Sequence, residues 1–160
     1  MLKHNITDRT ATMVDDTPAR IKAVTYLITI NPNYPLEQDD PEYEAMKRYI
    51  ELKLNELFTV PNISRTLSVK GIVDPNTIEF NISSALEYGS TYHKLHSHTL
   101  LEIIVPKTGG SVSINYKDFG RVAREVFNLE HLHVDLAKFN SSYVNVLRYI
   151  QKYKVTYKFD

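Results

Sequence analysis

Apolar and polar positions along the chain fall into two rhythms. Ile21 to Ile30 (Ile-Lys-Ala-Val-Thr-Tyr-Leu-Ile-Thr-Ile) is rich in β-branched and aromatic residues and ends in the turn-rich stretch Asn31-Pro32-Asn33-Tyr34-Pro35. It predicts a central strand. Asp39-Asp40-Pro41-Glu42 then supplies a cap, a proline near the first helical position and an acidic first turn. The helix it opens runs to about Phe58, with Met46, Ile50, Leu54 and Leu57 on one face. Pro61-Asn62 breaks the chain. Leu67 to Val73 and Thr77 to Leu86 read as strands joined by the turn signature Asp74-Pro75-Asn76. Glu87-Tyr88-Gly89-Ser90 reads as a loop.

Lys94 to Val105 is the strand around which the rest is arranged, and Pro106 stops it. Alternation puts Leu95, Ser97, Thr99, Leu101, Ile103 and Val105 on one face, ready to meet a core. The other face begins with His96 and His98. Two residues along a strand span about 6.8 Å, so tilted imidazoles there can converge on one ion. Two surface histidines are the plainer alternative for this pair taken alone. Thr108-Gly109-Gly110 predicts a turn and Ser111 to Asn115 a short strand. Tyr116 to Phe127 predicts an amphipathic helix, with Phe119, Val122, Ala123 and Val126 inward and Lys117, Arg121 and Arg124 outward. Glu130 to Leu136 predicts another strand, and Ser141 opens a last helix over Tyr143 to Tyr153.

This order of strands and helices predicts an α+β fold: a mainly antiparallel central sheet with flanking helices. Such a sheet leaves the His96/His98 face free for a ligand. At 160 residues the chain is long enough for one domain with a real core. Residues 1–20 are polar and aperiodic and read as a loose tail, residues 21–155 as the domain, and 156–160 as a second tail. No internal repeat is visible. There is no cysteine, which excludes disulfides, zinc–thiolate sites and a thiol nucleophile. The start lacks a signal-peptide pattern and no segment is apolar enough to span a membrane, so an intracellular protein with no membrane partner is expected.

Net charge is zero, yet it is unevenly spread. Up to His93 there are 9 Lys/Arg against 13 Asp/Glu, and from Lys94 on there are 10 against 6. The half beginning with the histidine strand is the half that attracts phosphate. In the last helix Asn145, Tyr149 and Lys152 share a polar side at i, i+4 and i+7, opposite Leu147. A tyrosine with a lysine one turn on is a nucleophile beside a cation, and a free phenol with a pKa near 10 needs that help. A surface tyrosine with a solvated lysine is the alternative reading of this pair in isolation.

The three features occur in a fixed order: Tyr26-Leu27-Ile28-Thr29-Ile30-Asn31-Pro32, then His96-Ser97-His98, then Tyr149-Ile150-Gln151-Lys152. That order resembles the HUH endonucleases, the initiators of rolling-circle replication. It looks most like the Rep proteins of eukaryotic circular single-stranded DNA viruses, geminivirus-like or circovirus-like. Their motifs are an Asn-Pro-ended strand, a His-hydrophobic-His strand and Tyr-x-x-Lys on a helix. Ser97 departs from the bulky apolar residue preferred between the histidines. Glu130-His131-Leu132-His133 matches the His-apolar-His string more literally, but His133 is too near Tyr149 to leave the family's interval of a strand and a helix.

The resemblance implies an HUH/RRM-like sandwich and a metal centre of His96, His98 and Glu87, with Mn²⁺ or Mg²⁺ as cofactor. Glu102 shares the His98 face but stands about 13 Å along the strand, too far for the same ion. It implies Tyr149 as nucleophile and Lys152 as its charge partner, with Tyr153 as a rival nucleophile. Lys94, Arg121, Arg124, Arg148 and Lys154 are the candidate contacts to DNA phosphates. The implied activity is sequence-specific nicking and joining of single-stranded DNA through a 5′-phosphotyrosine, at an origin stem-loop. The implied setting is a host nucleus, with host replication machinery as partner, a helicase domain following in a longer protein, and an oligomer possible there. Two other classes stay open: a non-catalytic nucleic-acid-binding module of the same fold, and a metal-dependent hydrolase without a covalent step.

Overall fold

The computed structural model describes residues 21–34, 36–89, 94–107 and 109–152. Both predicted tails, Ser90, Tyr153 and Lys154 lie outside the described residues. A four-stranded antiparallel sheet has the order β3-β4-β1-β6, formed by β1 (Ile21–Asn31), β3 (Glu79–Gly89), β4 (Lys94–Pro106) and β6 (His133–Phe139). A second sheet of two short strands pairs β2 (Leu67–Lys70) with β5 (Ser111–Ile114). The helices are α1 (Tyr43–Leu57), α2 (Val60–Ser64), α3 (Tyr116–Phe127) and α4 (Tyr143–Lys152). With β2, α2, β5 and the final α4 set aside, the chain runs β1-α1-β3-β4-α3-β6, the split β-α-β arrangement of ferredoxin-like domains. The α+β class with a mainly antiparallel sheet is as expected.

The main core lies on one face of the sheet. Tyr26, Ile28 and Ile30 of β1 and Leu95, Leu101, Ile103 and Val105 of β4 alternate inward. They meet Ile50, Leu54 and Leu57 of α1 and Phe119, Val122, Ala123 and Val126 of α3. The Tyr49 hydroxyl donates to the Phe127 carbonyl and ties the two helices together. α3 starts where Asn115 caps the Asp118 amide and stops where Asn128 takes a left-handed turn, φ 53°.

Five details differ from the sequence reading. α1 starts at Tyr43 behind Glu42 with no side-chain cap, so neither Asp39 nor Asp40 caps it and Pro41 lies before its first turn. β2 ends at Lys70 and pairs with β5, not with β3, and Asp74 caps a single 3-10 turn over Pro75–Thr77. Pro61 does not simply break the chain. It sits in the first turn of α2, where its missing N–H costs nothing, behind the Thr59 cap. β6 covers His133–Phe139, about three residues later than read from the pattern. Glu87 is in β3 rather than in a loop.

Ser97 sits on the core face, fully buried, and its Oγ has no hydrogen-bond partner among the described residues. An unpaired buried hydroxyl carries a desolvation cost that a methyl does not. Ser97→Ala should therefore raise stability by about 1 kcal/mol. Urea denaturation checks it, and a loss of stability would mean the hydroxyl has a partner in solution.

Candidate metal centre

Strand register explains why three distant residues meet. Glu87 of β3 stands opposite His96 of β4, and Ala85 opposite His98. On the other side of β4, Thr29 of β1 stands opposite His98. Directly opposed residues share a sheet face, so Glu87, His96, His98 and Thr29 all project to the side away from the main core. Ala85 leaves room beside His98 for the longer Glu87 side chain to lean in.

Glu87 Oε2 lies 2.9 Å from His98 Nε2 and 3.5 Å from His96 Nε2. The two rings meet edge to face, 4.9 Å between centres. One ligand atom from each of the three residues falls within 4.8 Å of the others. Ligands bound at right angles at about 2.1 Å from a small hard cation stand about 3 Å apart. Two imidazoles and a carboxylate at these separations fit a divalent ion.

The ring contacts fix which nitrogens are offered. His96 Nδ1 is 3.3 Å from the Lys94 carbonyl, so it carries the proton and leaves Nε2 to face Glu87. His98 Nδ1 is 3.1 Å from Thr29 Oγ1. When His98 Nε2 binds an ion, Nδ1–H donates to that hydroxyl, which sets the ring's orientation. Thr29 was missed from the sequence. Its only signal was a polar residue between Ile28 and Ile30. Thr29→Val keeps the volume and removes the acceptor, and should weaken Mn²⁺ binding about tenfold by titration calorimetry. Unchanged affinity would remove Thr29 from the site.

Burial holds the His98 imidazole well below its usual range, at about 4, with the neighbouring His96 pressing the same way and Glu87 opposing both. His98 is therefore neutral at physiological pH, as a ligand must be. In metal-free protein the unfolded chain takes up a proton near pH 6.5 that the folded chain refuses until about 4. This stability is complete above 6.5 and is lost as pH falls toward 4, by on the order of 2 kcal/mol. Urea midpoints in EDTA at pH 7 and 4.5 check this. The drop should shrink in His98→Gln.

The face is not wholly open, contrary to the sequence reading. α4 lies on it. Glu102, almost fully buried, accepts from the Tyr143 amide at 2.9 Å and from Asn81 Nδ2, so its carboxylate receives the first turn of α4. Val146 then packs on Leu100, with Leu27, Phe139 and Leu147 around them. Tyr143 thus meets Glu102 and Val146 meets Leu100, so the first turns of α4 are seated on this face of β4. Tyr149 and Lys152 belong to the last turn and a half of α4, and their side chains lie outside what the structure describes.

The predicted phosphate contacts are spread more widely. Lys94 is at the metal end of β4, its ammonium donating to Asn33 Oδ1. Arg148 is exposed on α4. Arg121, paired with Asp118, and Arg124 are on the outer side of α3, across the sheet from the three ligands, and do not join this site. His131 and His133 are exposed. His133 opposes Asn31 at the start of β6, and neither joins the cluster. Comparison with protein-family models, with curated proteins and with solved structures gives no match.

Proposed function

We propose that the chain is a divalent-metal-dependent endonuclease domain that nicks and rejoins single-stranded DNA, using Tyr149 as nucleophile and Mn²⁺ or Mg²⁺ held by Glu87, His96 and His98. The single observation that carries this reading is the shared face. The Glu–His–His cluster and α4, the helix of Tyr149-Ile150-Gln151-Lys152, occupy the same side of one sheet. Mixed imidazole and carboxylate donors suit Mn²⁺ or Mg²⁺, with water and phosphate oxygens completing the sphere.

A bound ion supplies polarisation of a phosphoryl oxygen. The chain's residues do the rest. The Tyr149 phenol oxygen bonds to phosphorus, the P–O3′ bond breaks, and the phenol's proton is matched by the one the 3′-oxygen takes up. The products are a 5′-phosphotyrosine and a free 3′-hydroxyl. Lys152 favours phenolate and offsets charge on the crowded phosphate. Because the covalent link keeps the phosphodiester energy, the reverse step rejoins strands without ATP. Lys94, at the metal end of β4 and bonded to Asn33, would meet a backbone phosphate near the ligands.

The test is incubation with a single-stranded DNA library and Mn²⁺, followed by a denaturing gel and sequencing of retained DNA. A covalent adduct supports the reading. Cleavage without an adduct supports a hydrolase instead, and binding without cleavage supports a non-catalytic module.

A further inference from the structure

A basic hollow lies at the end of the sheet away from the Glu–His–His cluster. His98 and Val105 are seven residues apart on β4, about 23 Å. Beside Val105 the gap between the two sheets and the start of α4 encloses a cavity of about 610 Å³. Lys22, Lys70, Lys107 and Lys138 line it, and among the described residues no carboxylate does. In a chain of zero net charge, four lysines lining one hollow with no carboxylate among the lining residues concentrate positive charge there. Lys22 spends one proton on the Gly110 carbonyl at 2.6 Å and keeps two to donate.

Two further features give the cavity a chemical shape. Ser142 lines it at the mouth of α4, is 2% exposed, and its Oγ has no hydrogen-bond partner among the described residues. A hydroxyl buried without a partner is costly unless something completes it. The wall made by Val24, Ile103, Val105 and Val112 is apolar. Lysines around the opening, an unmet hydroxyl and an apolar wall suit a ligand with an anionic end and a flat, weakly polar body. The volume is that of a small-molecule pocket.

We infer that this cavity binds a nucleoside phosphate, with the phosphate held by the four lysines and Ser142 and the base against the Val24/Ile103/Val105/Val112 wall. The nucleotide comes either free or as one residue of a strand. The site stands apart from the metal centre and does not depend on the nuclease reading.

The experiment is an amide NMR titration of the full chain with three probes: deoxyadenosine 5′-monophosphate, octathymidylate and inorganic phosphate. The nucleotide should shift the amides of Lys22, Ser111 and Ser142. An octathymidylate that shifts the same amides and binds tighter assigns the site to a strand, and a response to the mononucleotide alone assigns it to a free nucleotide. Lys70→Glu/Lys138→Glu, at two exposed positions, should weaken binding about tenfold or more, and Ser142→Ala by a smaller factor. No shift at these amides up to about 5 mM, where any site tighter than about 1 mM would fill, overturns the inference. So does full affinity in the double variant. Inorganic phosphate binding as tightly as the nucleotide overturns the base-binding part. None of these substitutions touches Glu87, His96 or His98, so Mn²⁺ binding and adduct formation report separately on the nuclease reading.

Discussion

His96→Ala should reduce Mn²⁺ affinity by about two orders of magnitude or more while leaving the fold intact. Loss of a supporting group around a metal typically costs tenfold to a hundredfold, and loss of a ligand itself costs at least the upper end. The fold should survive because His96 is half-buried at the end of β4, outside the main core, and its described bond is to a neighbouring backbone carbonyl. His98→Ala should lose metal equally but also lose stability, since His98 is buried and bonded to Thr29 and Glu87. The comparison that decides is with His131→Ala and His133→Ala. Both are exposed on the far side of β1, and both should bind Mn²⁺ normally. If the second pair loses the ion and the first keeps it, the more literal His-Leu-His string is the metal site. Adduct formation should follow metal affinity in all four variants.

Tyr149→Phe should give no covalent adduct with a cleavable single strand, a fall of about three orders of magnitude or more in nicking. The substitution removes one hydroxyl and leaves the ring, so Mn²⁺ binding and DNA affinity should be nearly unchanged. Lys152→Met should slow nicking by a smaller factor and shift its pH profile upward, because the phenol loses the cation that favours phenolate. Tyr153→Phe is the control. It lies one turn beyond Tyr149 in sequence, and its variant should nick normally. The opposite pattern, with adduct lost only in Tyr153→Phe, would move the nucleophile. A first nick that survives in Tyr153→Phe with a second transfer lost would indicate two alternating tyrosines. Glu102 and Leu100 hold the first turns of α4, so the proposed reaction needs the helix to stay seated there.

Most elements were legible because their patterns are local. The period of two in Lys94–Pro106 and of about 3.6 in α1 and α3 follows from which faces meet one core, and that core is where the alternation placed it. Boundaries slipped where tertiary pairing overrode pattern. β2 stops at Lys70 because its partner β5 is only four residues long, and β6 starts at His133, where its pairing with Asn31 begins. Pro61 looked like a breaker, although a proline in a first turn opens a helix as readily as it ends one.

The sequence by itself determined the sheet-and-helix class, the core faces, and His96 and His98 as neighbours on one strand face. Those depend on residues close together in the chain. What only the tertiary structure decided is the register that sets Glu87 opposite His96 and Thr29 opposite His98, and the seating of α4 on Glu102 and Leu100. A slip of one residue in either pairing would send Glu87 or Thr29 to the opposite face and dismantle the cluster. Register is fixed by the burial of whole strands against α1 and α3, a property of many side chains at once, so no short motif carries it.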